Sequence, residues 1–107
     1  MTVKSEQIIV NAVETFDVEH QLDIAIEEMS ELTKEICKLK RYGAKPEILV
    51  NITEEMADVY IMLRQMELYF KNAKFVDDVI ENKLKRLSKA IFAEKLNEFE
   101  RRLTNNG

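Results

Sequence analysis

One break divides an otherwise continuous helical pattern, Tyr42-Gly43-Ala44-Lys45-Pro46. A glycine there suits the end of one helix, and the proline after it suits the first turn of the next. The whole chain of 107 residues holds only two glycines and one proline. A sheet-rich fold with many tight turns needs more of both, so the sequence predicts an all-α fold. Before the break, apolar residues recur at Leu22, Ala25, Met29, Leu32, Ile36 and Leu39; after it, at Ile52, Met56, Val59, Leu63, Met66 and Phe70. Steps of three and four mark one face of a helix and suit helices packed close to antiparallel. A softer break follows at Lys71-Asn72-Ala73-Lys74, and the chain reads as four helices, at about 3–15, 18–41, 47–71 and 74–103. Asp17 is placed to cap the second by accepting from its free first-turn amides. The last carries Val76, Ile80, Leu84, Leu87 and Ile91, then Phe92, Leu96, Phe99 and Leu103. Its half beyond about Ile91 is expected to pack on another subunit.

At this length one domain spanning 1–107 is expected, with its core at about 18–90 and 91–107 as a helical extension. The balance of 20 acidic against 16 basic side chains, a net charge of −4, argues against binding a nucleic-acid polymer, which shows as a basic excess. No apolar run approaches the length of a membrane span, and Met1 to Gln7 has no apolar core of the signal-peptide kind. The single cysteine, Cys37, has no internal partner and suits a reducing compartment. These features predict a cytoplasmic protein that completes its modest core by self-association.

Two acidic clusters carry the chemistry: Glu27-Glu28-Met29-Ser30-Glu31 and Glu54-Glu55-Met56-Ala57-Asp58. Glu28/Glu31 and Glu55/Asp58 are each three apart, hence neighbours on a helix surface. Carboxylates so close repel unless a positive charge lies between them, and oxygen donors are what Mg²⁺ prefers. At about 100° per residue, Glu28 and Glu31 lie roughly 70° and 130° to one side of their apolar stripe, and Glu55 and Asp58 roughly 60° and 120° to the same rotational side of theirs. Reversing the second helix across the turn puts both pairs on one flank. Their centres lie about 14 and about 12 residues from the turn, a mismatch of about 3 Å. Geometry alone leaves two readings open. One is a divalent-cation site. The other is a solvated acidic face, with pairs such as Glu31–Lys34 and Glu35–Lys38 and with Glu27 and Glu54 in water.

Glu27-Glu28-x-x-Glu31, followed after 23 residues by Glu55-x-x-Asp58, resembles the EExxE…ExxD signature of the all-α nucleoside triphosphate pyrophosphohydrolases, the MazG-like family. Ile26 to Leu32 and Glu54 to Val59 look like that family's two core helices, and the resemblance covers about residues 18–90. It implies an antiparallel bundle of four to five helices that forms a homo-oligomer, dimer or tetramer. It also implies cleavage of an NTP or dNTP between the α and β phosphates, giving a monophosphate and pyrophosphate. By that resemblance Glu28, Glu31, Glu55 and Asp58 are the ligands of Mg²⁺, with Mn²⁺ as a substitute, and Glu28 or Glu31 takes a proton from water. Asn82, Lys83 and Arg86 are the candidates for meeting the phosphates, Lys83 foremost because it precedes a core position. Some members carry a base-holding aromatic residue four positions after the motif's Asp; here Met62 stands there.

His20 and Gln21, ahead of the first acids on the same helix, are the further candidates to face a base. Cys37 has no nearby His to activate it as a nucleophile. Met29, Met56, Met62 and Met66 are expected in the core, Tyr60 and Tyr69 partly buried. Two other functions fit the same pattern: a non-catalytic helical dimer acting as an interaction module, and a phosphoribosyl-ATP pyrophosphohydrolase. An interaction module has no need of four convergent carboxylates.

Overall fold

The computed structural model describes residues 1–106. They form four helices, α1 (Val3–Thr15), α2 (Val18–Tyr42), α3 (Pro46–Phe70) and α4 (Ala73–Asn106), with no strand among the described residues. Each boundary has a local cause. The Thr2 hydroxyl accepts the Ser5 amide at 3.0 Å and starts α1. Asp17 does the same for α2 through the Glu19 amide at 3.2 Å, the cap expected from sequence. Gly43, at φ 86°, closes α2 by donating its amide to Leu39, a backbone conformation only glycine reaches without strain. Pro46 then opens α3 as its first residue. The end of α3 is less comfortable: Lys71, with a side chain, sits left-handed at φ 53° and ψ 44°.

The chain divides into two compact units, Met1–Lys71 and Asn72 onward. In the first, α3 packs against both α2 and α1. Arg64 of α3 pairs with Glu6 of α1 and with Glu67 on its own helix. The Tyr69 hydroxyl donates to the Phe16 carbonyl at 2.7 Å, tying the α1–α2 turn to the end of α3. Ile9, Ala25, Ile48 and Met62 form the buried apolar core, and Gln21, Glu35 and Gln65 are buried with them.

That list departs from the expected core. Ala25 is the only buried member of the two stripes; Met29, Ile36, Met56, Leu63 and Phe70 are each more than 40% exposed. The α2–α3 seam follows other positions. Gln21, Glu28 and Glu35 recur every seven residues, as do Ile48, Glu55 and Met62, and Asp58 and Gln65. Residues seven apart drift only about 20° around a helix, so each set marks one line along it. The line on α2 lies roughly 70° around the helix from its stripe, and the two lines on α3 roughly 60° and 130° from theirs. Hydrogen bonding fixes the seam: the Gln21 side-chain amide donates to Gln65 Oε1 at 2.8 Å, both residues buried.

In the second unit, α4 extends about 50 Å at 1.5 Å per residue. The Asn72 carbonyl accepts the Val76 amide at its start. Arg101–Glu94 and Arg102–Glu98 pair along its surface at 3.1 and 2.7 Å. No helix among the described residues is long and apolar enough to cross a membrane.

Candidate metal centre

The Gln21–Gln65 bond sets what faces what further along the hairpin. Moving seven residues toward the turn from each partner reaches Glu28 on α2 and Asp58 on α3, with Glu55 one turn beyond. Glu28, Glu55 and Asp58 each present a carboxylate oxygen, and the three oxygens lie within 4.8 Å of one another. Glu28 and Glu55 are half-buried and Asp58 is exposed, so the group opens to solvent on one side. Among the described residues, no lysine or arginine pairs with any of the three.

Uncompensated charge leaves two marks. Glu28 has its pKa raised from 4.5 to about 7: burial is the largest cause, followed by a hydrogen bond with Asp58, then repulsion from Asp58 and Glu55. Glu55 Oε2 is buried and has no hydrogen-bond partner. A buried carboxylate oxygen with nothing to accept from is costly, and a cation bound among these three groups removes both penalties. The donors are hard oxygens, as Mg²⁺ requires. With Mg–O near 2.1 Å, oxygens on one ion stand up to about 4.2 Å apart. The three oxygens already lie within 4.8 Å of one another, so at most a small side-chain rotation brings them all onto one ion. The residues fit the ion.

Glu31, grouped with these acids from sequence, is half-buried one turn beyond Glu28 and outside the convergent three. Glu27 and Glu54 are exposed. Of the two ion pairs expected, Glu35–Lys38 is present at 3.0 Å, but on a buried glutamate whose second oxygen, Oε2, has no partner. Glu31–Lys34 is not formed.

The three base-facing candidates share one hydrogen-bonded chain. His20 Nδ1 lies 2.8 Å from Gln21 Oε1, a contact that requires the proton on Nδ1. Gln21 donates to Gln65, and Gln65 Nε2 donates to the Met62 sulfur at 3.6 Å. Gln21 and Met62 are buried, whereas His20 is exposed and stacks on Phe16 with ring centroids 6.1 Å apart. Gln65 was not singled out from sequence; its signal was the seven-residue step from Asp58. Asn82, Lys83 and Arg86 lie exposed on α4, in the second unit. Tyr60 is 64% exposed, and Met29 and Met56 lie outside the core of the first unit. Cys37 is exposed and lines a recess of about 270 Å³ with Lys34, Lys38, Arg41 and Tyr42. An apolar groove of about 250 Å³ runs between Leu32 of α2 and Met56, Val59, Tyr60 and Leu63 of α3.

Compared with family models, curated proteins and solved structures, the chain matches none.

Proposed function

We propose that the hairpin is an Mg²⁺-dependent nucleotide pyrophosphohydrolase site, cleaving an NTP or dNTP between the α and β phosphates in cytoplasmic nucleotide-pool housekeeping. The observation that carries this reading is the unpaired convergence of Glu28, Glu55 and Asp58, with one oxygen of Glu55 buried and unsatisfied. The resemblance to the MazG-like signature supplies the reaction class. Glu28, Glu55 and Asp58 would hold the metal, Mg²⁺ or Mn²⁺. Bound there, the ion would neutralise phosphate charge and acidify a water. Glu31, beside the trio but not in it, is the carboxylate left free to take a proton. The His20–Gln21–Gln65 chain stiffens the seam two turns away and holds the acids in register. Asn82, Lys83 and Arg86 are the proposed phosphate contacts.

Self-association belongs to the same proposal. The half-exposed stripe of Met29, Ile36, Met56 and Leu63 and the groove at Leu32 to Leu63 form an apolar face of the kind that marks protein interfaces. A homo-oligomer, dimer or tetramer, would cover it.

The test is pyrophosphate release from a panel of NTPs, dNTPs and phosphoribosyl-ATP, with and without Mg²⁺, for the natural chain and Glu28→Gln. Mg²⁺-dependent release of monophosphate and pyrophosphate, abolished by Glu28→Gln at unchanged helical content, supports the enzyme. No release from any substrate by a folded chain overturns it and favours the helical dimer as an interaction module.

A further inference from the structure

The apolar residues of α4 do not form one stripe. Taking Ile80 as the origin, Val76, Leu84, Leu87 and Ile91 fall within about 40° of it at 100° per residue. Phe92, Leu96, Phe99 and Leu103 centre about 130° further round. The step from Ile91 to Phe92 is the discontinuity. It explains why the helix as a whole shows almost no net amphipathicity although each half is strongly two-faced. One straight partner cannot cover both stripes, so the second half needs an occupant of its own. Its residues are exposed: Phe92 at 69%, Leu96 at 46%, Phe99 at 57% and Leu103 at 60%.

Steps of four, three and four place Phe92 and Phe99 at the d positions of a heptad and Leu96 and Leu103 at the a positions, the pattern of a two-stranded coiled coil. Lys95 then occupies a g position, Glu100 an e position and Arg102 the next g. Arg102 is already paired with Glu98 on its own helix, whereas Lys95 and Glu100 form no ion pair among the described residues. In a parallel pair, g faces e of the following heptad on the partner, so Lys95 meets Glu100 from both sides. In an antiparallel pair, g faces g and Lys95 meets Arg102. We infer that the Phe92/Leu96/Phe99/Leu103 stripe docks on the same stripe of a second copy of this chain, in parallel, clamped by reciprocal Lys95–Glu100 pairs. This pairing is independent of the acidic site and of any reaction there.

Disulfide trapping tests it in the full chain carrying Cys37→Ser. In a parallel pair the two Leu96 side chains share one layer, within bridging distance, while Asn97 points outward. Leu96→Cys is expected to cross-link about tenfold faster than Asn97→Cys under mild oxidation, with Leu103→Cys as a second a-position probe and helical content checked by circular dichroism. Adding Lys95→Glu should slow the Leu96→Cys cross-link, and Lys95→Glu with Glu100→Lys should restore it. Equal rates at Leu96→Cys, Leu103→Cys and Asn97→Cys overturn the proposal, because the stripe then meets no second copy and something else covers it. A mixture of Leu96→Cys and Phe99→Cys chains that cross-links faster than Leu96→Cys alone overturns the parallel arrangement.

Discussion

Replacing Glu28 by Gln separates the cost of crowding three carboxylates from the use of having them. In the metal-free protein the pKa of Glu28 rises from 4.5 to about 7, chiefly through burial and then through Asp58 and Glu55. A folded-state value above the unfolded one means the folded chain binds more protons between those limits. The site's contribution to stability is therefore most favourable below pH 4.5 and declines as pH rises through 7. At 1.36 kcal/mol per pH unit, the full displacement sets a ceiling of ~3 kcal/mol. Glu28 is only half-buried, and solvent screening brings the expected effect to about 1–2 kcal/mol. Glu28→Gln keeps the shape and a hydrogen-bonding group but carries no charge. In urea unfolding without divalent metal, Glu28→Gln should be more stable than the natural chain by about 1–2 kcal/mol at pH 8, with the gap closing toward pH 4.5. Mg²⁺ should then reverse the order. At an Mg²⁺ concentration about 100 times its dissociation constant, the natural chain gains ~2.7 kcal/mol, and the variant gains far less. A Glu28→Gln chain that is equally stable or less stable at pH 8 without metal would refute the reasoning, because the carboxylates would then not be held against their own repulsion.

Three further substitutions probe the helical frame that carries the acids. Gln21→Leu or Gln65→Leu alone strands a buried amide and should cost about 1–3 kcal/mol, whereas the double replacement should recover most of that loss; a double-mutant cycle by urea unfolding decides, and simple additivity would show that the two amides do not depend on each other. Lys71→Gly relieves a left-handed residue whose side chain disfavours that conformation, and the gain should be about 0.5–1 kcal/mol after the added freedom of the unfolded chain; thermal unfolding checks it, and a lowered midpoint would place the strain elsewhere.

The helix ends were legible because their causes are local. Gly43, Pro46 and Asp17 act on backbone groups within a turn of themselves, and every expected boundary lies within three residues of the observed one. The packing of the helices was not legible in the same way. Periodicity finds the face of a helix that avoids water, and it found Leu22 to Leu39 and Ile52 to Phe70, but it says nothing about what covers that face. The hairpin instead closes along Gln21, Glu28 and Glu35, where a hydrophobicity pattern sees only polar residues. A separate signal was present, the exact repeat of seven through Gln21, Glu28 and Glu35 and through Asp58 and Gln65. Polar residues at coiled-coil spacing specify register, and here the amide pair brings Glu28 level with Asp58. The same rotation accounts for Glu31. It lies further around α2 from the stripe than Glu28 does, so a seam rotated toward Glu28 gathers the nearer acid and leaves Glu31 aside. Whether four carboxylates or three gather is thus decided by the angle of the seam, which depends on two glutamines 44 residues apart and on no property of the acids themselves.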